Sequence, residues 1–216
     1  MADAIAGRRD EVFLVSKVLP SNASRIGVPA ACDRSLKHLR TDRIDLYLLH
    51  WPGSLPLAET VEAFDALKKA GKIRHWGVSN FDTHEMDELV SLPAGDSVQT
   101  NQILYNLSQR GPEFDLAPWN RQRGIPLMAY SPVDQGLLAR NTTLEAIAAR
   151  HSATAAQLAL AWLMAQDGVI AIPKAGRQEH VRQNVAALDI ELTSEDSAEI
   201  DRAFPPPTRK RGLQMI

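Results

Sequence analysis

The chain has 216 residues, 44% hydrophobic and 23% charged, the balance of a globular domain with a sizeable core, which excludes collagen-like and disordered classes. A formal net charge of −2 leaves no electrostatic footprint for nucleic acid, and the one basic cluster, Arg209-Lys210-Arg211, reads as a solvated tail. The longest apolar stretch, residues 155–165, falls short of a membrane span of about 20 residues, and residues 1–9 lack the apolar core of a signal peptide; cytoplasmic residence with no membrane partner is the expectation.

In chain order, an apolar run at 12–17 predicts a strand ending on Lys17. Pro29 suits the first turn of a helix reaching about Arg40, with Cys32, Leu36 and Leu39 on its apolar face, so the single cysteine reads as core. A second run, 44–50, ends on His50. Leu57, Val61, Phe64 and Leu67 then form a helical stripe that Gly71 terminates. A third run, 73–80, ends on Asn80, and the spacing of Asp82 to Glu85 predicts a capped helix start. The fourth run, 97–102, ends on Gln102, and a helix is expected over 112–123. The fifth run, 126–131, carries Tyr130 and Ser131 at its end. Thr142 with Glu145 and Thr154 with Gln157 again have capping-box spacing. The sixth run, 169–174, ends on Lys174; helices at 179–188 and 194–204 follow, and Pro205-Pro206-Pro207 ends regular structure.

Runs recurring roughly every thirty residues with helices between them are repeated βα units, here in a single domain covering 1–216. Parallel strands feeding helices make a barrel or an open α/β sheet, and both place ligands at the carboxyl ends of the strands. Six strands are fewer than the eight of a closed (β/α)₈ barrel of about 250 residues. Either part of a barrel is missing or the sheet is open.

The strand-end residues carry usable chemistry. A lysine and a histidine on one rim, Lys17 and His50, can position a carbonyl oxygen and supply positive charge where negative charge develops. Asn80 and Gln102 offer uncharged amide donors and acceptors suited to a planar carboxamide, and Tyr130 offers a stacking face. Lys174 and Arg177 put two cations before a helix start, an anion site that fits a nucleotide phosphate. Taken singly, each has an ordinary structural reading: a snorkelling lysine, a bonded histidine, a turn asparagine, a core tyrosine. No metal-ligating set stands out.

Five segments occur in order: Leu48-Leu-His50-Trp51-Pro52, Gly71-Lys-Ile-Arg-His-Trp-Gly77-Val-Ser79-Asn80-Phe81, Thr100-Asn-Gln102, Ala129-Tyr130-Ser131-Pro132 and Ile172-Pro173-Lys174. Together they resemble the aldo-keto reductases, (β/α)₈ barrel enzymes that reduce aldehydes and ketones with NADPH. The resemblance runs from about Glu11 to Phe204. It implies that Lys17 is the lysine that lowers the pKa of a proton-donating tyrosine, that His50 orients the carbonyl, and that Trp51 lines the substrate pocket. It also implies carboxamide contacts from Ser79, Asn80 and Gln102, nicotinamide stacking on Tyr130 and a phosphate contact from Ser131. Lys174 falls at the adenosine 2′-phosphate, Arg177 within reach of it, and Gln183 and Asn184 where adenine is held.

Two departures accompany the likeness. The family's aspartate and proton-donating tyrosine lie ahead of the lysine strand, where this chain has eleven residues before Val12 and no tyrosine. The expectation is an incomplete barrel of about six βα units that lacks the N-terminal quarter, self-associates through open edges and turns over poorly; the rival is a nucleotide-binding regulatory module. Tyr47 is not a substitute, because its odd spacing from His50 puts it on the opposite face. The second departure is Ala175 and His180 at positions the family fills with Ser or Thr and with arginine, so NADH is expected as a weaker alternative to NADPH.

Overall fold

The runs at 12–17, 44–50 and 73–80 form parallel strands β1 (Val15–Val18), β2 (Ile44–Leu49) and β3 (Ile73–Ser79) in the computed structural model, which describes residues 1–216. Two compact units are formed, Met1–Asn101 and Gln102–Ile216. In the first, helices α1 (Ala2–Ile5), α2 (Gly27–Leu39), α3 (Leu57–Lys69) and α4 (Thr83–Ser91) alternate with the strands. Every residue of β2 is buried, as a continuous apolar run requires of a parallel strand covered on both faces.

The register sorts side chains onto two faces. Tyr47 pairs with Ser16 and Trp76, and Lys17 with Leu48, which in turn pairs with Gly77. Tyr47 and Trp76 therefore share the helix side, where Phe64 of α3 meets Tyr47 edge-on at 5.8 Å and stacks on Trp76 at 5.5 Å. On the other face, a Cβ at Gly77 would stand 2.6 Å from the Thr100 carbonyl oxygen and 2.9 Å from Leu48 Cδ2, so this close strand approach admits only glycine.

The first strand begins later than its apolar run. Leu14 donates its N–H to Asp45 Oδ2 at 2.8 Å, and its carbonyl accepts from Asp45 and Leu46, so a carboxylate takes a place in the ladder. Arg9 holds the same carboxylate at 2.7 Å and caps the Arg43 carbonyl at 2.8 Å. Lys17 is consequently inside β1, with Val18 after it, and does not end the strand. The helix signals fare better. Asp82 and Glu85 form a complete capping box, Gly71 follows α3 at φ +72°, and fully buried Cys32 lies on α2 with its thiol pushed up to about 11, chiefly by burial.

In the second unit, β4 (Asn101–Leu104, its first residue shared with the first unit) leads to α5 (Leu116–Gln122), β5 (Leu127–Tyr130), α6 (Thr142–Arg150), α7 (Ala155–Met164), β6 (Val169–Ala171), α8 (Gln178–Ala186) and α9 (Ser194–Ala203). Strands β5 and β6 are parallel, with Leu127 opposite Val169. All six strands belong to one sheet in the order β1-β2-β3-β4-β5-β6, an α/β fold. The apolar stretch forms helix α7, whose side chains from Leu158 to Leu163 are all buried, and no helix is long and apolar enough to cross a membrane. By contrast α8 has no buried residue; Val181 and Val185 on it, Leu188 beyond it and Ile170 of β6 are exposed.

Several boundaries move. Gln102 is the second residue of β4, not its last. The helix expected over 112–123 is broken into a 3₁₀ turn (Gly111–Glu113) and α5. At α6 the cap is Asn141, whose side chain accepts from the Leu144 N–H at 3.0 Å; Thr142 is already helical, because asparagine outcompetes threonine as a cap one position earlier.

Candidate active site

In the first unit the strand ends gather one group of side chains. Parallel register places Lys17 level with Leu48, and His50 two residues on shares that face. The His50 N–H extends the ladder to the Val18 carbonyl at 3.0 Å. Lys17 is half-buried, and burial lowers its pKa. His50 is also lowered, first by burial and then by the Lys17 charge, so its imidazole is neutral at pH 7 and one ring N–H can donate to a carbonyl oxygen. Trp51 lies next to it, the two rings 4.6 Å apart and tilted by 50°, with the indole 38% exposed. A polar imidazole beside an accessible aromatic wall suits a small carbonyl compound.

Asn80 follows β3 in the left-handed region at φ 61°. Its amide donates to the His50 carbonyl oxygen at 3.1 Å and to Ser79 Oγ at 3.2 Å. Ser79 is fully buried. Asn101 clamps the loop that follows, accepting from the Phe81 N–H at 3.4 Å and donating to the Phe81 carbonyl at 2.7 Å.

The second unit holds the remaining candidates. Gln102 is buried with its amide against Met128 Sδ at 2.9 Å. Tyr130 ends β5, half-buried; burial raises its pKa, opposed by a hydrogen bond from the Ile216 main chain. Ser131 sits at φ 51°, and its carbonyl accepts from the Asn106 amide at 2.8 Å. Lys174 lies three residues beyond β6, with its ammonium 3.6 Å from where a Gly176 Cβ would be. Arg177 stands at the N-cap of α8, so both cations are in the loop that opens toward the unpaired N–H groups of that helix start. Gln183 and Asn184 are half-buried one to two turns along α8, where Gln183 reaches Glu179 at 3.5 Å.

Two residues that organise these positions escape a reading of strand ends. Asn106 is fully buried and accepts from the Ser108 and Gln109 N–H groups while fixing Ser131; the Asn-Leu-Ser-Gln string is the turn signal that marks it. Asn101 carries no such local signature, since its partner is twenty residues away.

Residues 1–204 match the aldo/keto reductase family. The chain belongs to that family. It is an oxidoreductase whose chemistry is hydride transfer between NADP(H) and an aldehyde or ketone. It is 49% identical to the methylglyoxal reductase YeaE of Escherichia coli, over all of this chain and 78% of that protein. With the glyoxal reductase of Bacillus subtilis the identity is 38%, over 89% of this chain and 68% of that one. An aldo-keto reductase of Klebsiella pneumoniae solved in complex with NADPH superposes with a TM-score of 0.97 at 49% identity, covering all of this chain and 78% of its own.

Proposed function

We propose that this reductase acts on small α-dicarbonyls of the methylglyoxal type, with Lys17 and His50 as the residues that handle the carbonyl oxygen. The observation that carries the reading is the Lys17–His50 pair on one face, where burial lowers the pKa of both and the Lys17 charge lowers that of His50 further. The names of the Escherichia coli and Bacillus subtilis relatives support the substrate class, and the polar imidazole of His50 beside the Trp51 ring fits a small, oxygen-rich molecule.

Bound NADPH supplies the hydride. Neutral His50 donates a hydrogen bond to the substrate oxygen and orients it, while the Lys17 ammonium offsets the negative charge that grows there as the carbonyl carbon is reduced. Trp51 excludes water from one side of the substrate. Ser79, Asn80 and Gln102 hold the carboxamide, and Tyr130 presents its ring to the nicotinamide with Ser131 beside it. Lys174 and Arg177 take the 2′-phosphate, and Gln183 and Asn184 the adenine. The chemistry of this donor set fits the cofactor: amides for an amide, an aromatic ring for a ring, and cations at a helix start for a phosphate.

The finer architecture in this reading is a barrel of the (β/α)₈ type of which these residues supply six βα units in one functional domain, operating in the cytoplasm. The half-exposed β6 and the uncovered stripe on α8 support it, and self-association through the sheet edges follows from the same exposed surface.

Lys174→Ala tests the nucleotide assignment. Fluorescence titration is expected to show a larger loss of affinity for NADPH than for NADH, because only NADPH carries the extra phosphate. Equal losses for the two would overturn the role of Lys174.

A further inference from the structure

The C-terminal segment is tied down at separated points within the second unit. Where it leaves α9, Arg110, which also grips Glu113 and Asp201, donates to the Phe204 carbonyl at 2.5 Å. Pro205-Pro206-Pro207 then carries the chain on in an extended, stiff path. Lys210 pairs with Asp115 at 2.7 Å, and Arg110 and Asp115 belong to the same stretch ahead of α5. At the far end the Ile216 main chain bonds to the Tyr130 hydroxyl. The basic tail is therefore fastened, not freely solvated, and its last residue fixes a side chain of the cofactor site.

We propose that Lys210 is a positioning residue for the cofactor: its ion pair with Asp115 latches residues 205–216 so that Ile216 holds the Tyr130 ring in the orientation that stacking requires. The inference rests on the reading of Tyr130 as the nicotinamide platform. Both partners of the latch are about one-third exposed, 39% for Lys210 and 31% for Asp115, so it is a weak, salt-screened contact able to open as ligands exchange.

The test uses the full chain with Lys210→Glu and Lys210→Arg, read by amide hydrogen exchange over 212–216 and by fluorescence titration with NADPH. Lys210→Glu is expected to speed exchange of those amides and weaken NADPH about five-fold, the loss of roughly one hydrogen bond, while Lys210→Arg keeps both near the parent values. Unchanged protection in α5 and α9 shows that the variant is folded. Unchanged exchange over 212–216 in Lys210→Glu overturns the latch. Faster exchange with undiminished affinity overturns its link to the cofactor. Tyr130→Ala with undiminished affinity brings down the stacking assignment itself, a failure separate from that of the latch.

Discussion

The Asn80 side-chain amide donates to the backbone carbonyl of His50 at 3.1 Å, so the residue that follows β3 fixes the main chain just past β2. Asn80 can reach it because its own backbone is left-handed, at φ 61°, a conformation asparagine tolerates better than most residues. One residue thus couples the expected carboxamide contact to the expected carbonyl-orienting histidine. Asn80→Gly keeps the backbone and loses the bond, costing about 1 kcal/mol, and Asn80→Ala adds left-handed strain for about 2 kcal/mol in all. Urea unfolding of the two variants checks the order; an alanine variant as stable as the glycine one would remove the backbone argument.

Lys17 and His50 lend themselves to a direct titration. Burial and the Lys17 charge both hold His50 below its ordinary value near 6.5. In Lys17→Met the charge contribution disappears and burial remains, so the His50 pKa rises but stays below the free value. NMR of the imidazole carbons measures this. The sign for stability follows: the folded state disfavours the imidazolium, so His50 costs stability as pH falls below about 6.5 and nothing above it. A His50 pKa insensitive to Lys17→Met would separate the two residues and weaken the active-site reading.

Acid stability should be governed by Asp196. This buried carboxylate closes the α9 capping box with Thr193, pairs with Arg150 at 2.6 Å and meets His151 Nε2 at 2.9 Å. Burial alone raises its pKa, but the Thr193, Arg150 and His151 contacts outweigh it and the net shift is downward. A depressed folded pKa gives stability that is fully present above about pH 4 and lost as pH falls toward the folded value. Asp196→Ala is expected to cost about 2–3 kcal/mol at neutral pH and to flatten the acid limb of a melting-temperature profile. An unchanged limb would assign acid sensitivity elsewhere, with Asp45 the next carboxylate to test.

Much of the molecule is legible in its sequence because the signals are local. Six apolar runs give six strands, and the Asp82–Glu85 and Thr154–Gln157 spacings give capping boxes, since each depends on residues within one turn. The displaced edges have long-range causes. Nothing near Val12 announces that Leu14 will bond to a carboxylate thirty-one residues on, which shortens β1 and puts Lys17 inside it. Likewise Arg110 reads as a surface arginine, yet it is 9% exposed, over the Trp162 ring at 5.0 Å and bound to Asp201 ninety-one residues away. The proposed site residues stand out through motif strings, whereas the supports behind them, Asn101 and Asn106, depend on where the chain returns.

The proton needed by the reduced oxygen is the sharpest remaining test. Tyr47 sits on the helix side of β2, opposite the face shared by Lys17 and His50, and burial pushes its hydroxyl up to about 12. Tyr105 is raised as well, by burial and by Glu113, to which it donates at 3.1 Å, and burial raises Tyr130 against the hydrogen bond it accepts from the Ile216 main chain. Tyr47, facing away, is not set to be a general acid beside Lys17. A positioned acid contributes about 10²–10⁴ in rate, so methylglyoxal-dependent NADPH oxidation by these 216 residues should run slower than that of the Escherichia coli relative by about that margin. Tyr47→Phe and Tyr105→Phe should leave the rate unchanged, and added imidazolium buffer should raise it in proportion to its concentration by acting as an external proton donor. A large rate loss in Tyr47→Phe, or a parent rate equal to the relative's without added acid, would show that a residue of this chain already donates the proton, and His50→Gln would be the next substitution to measure.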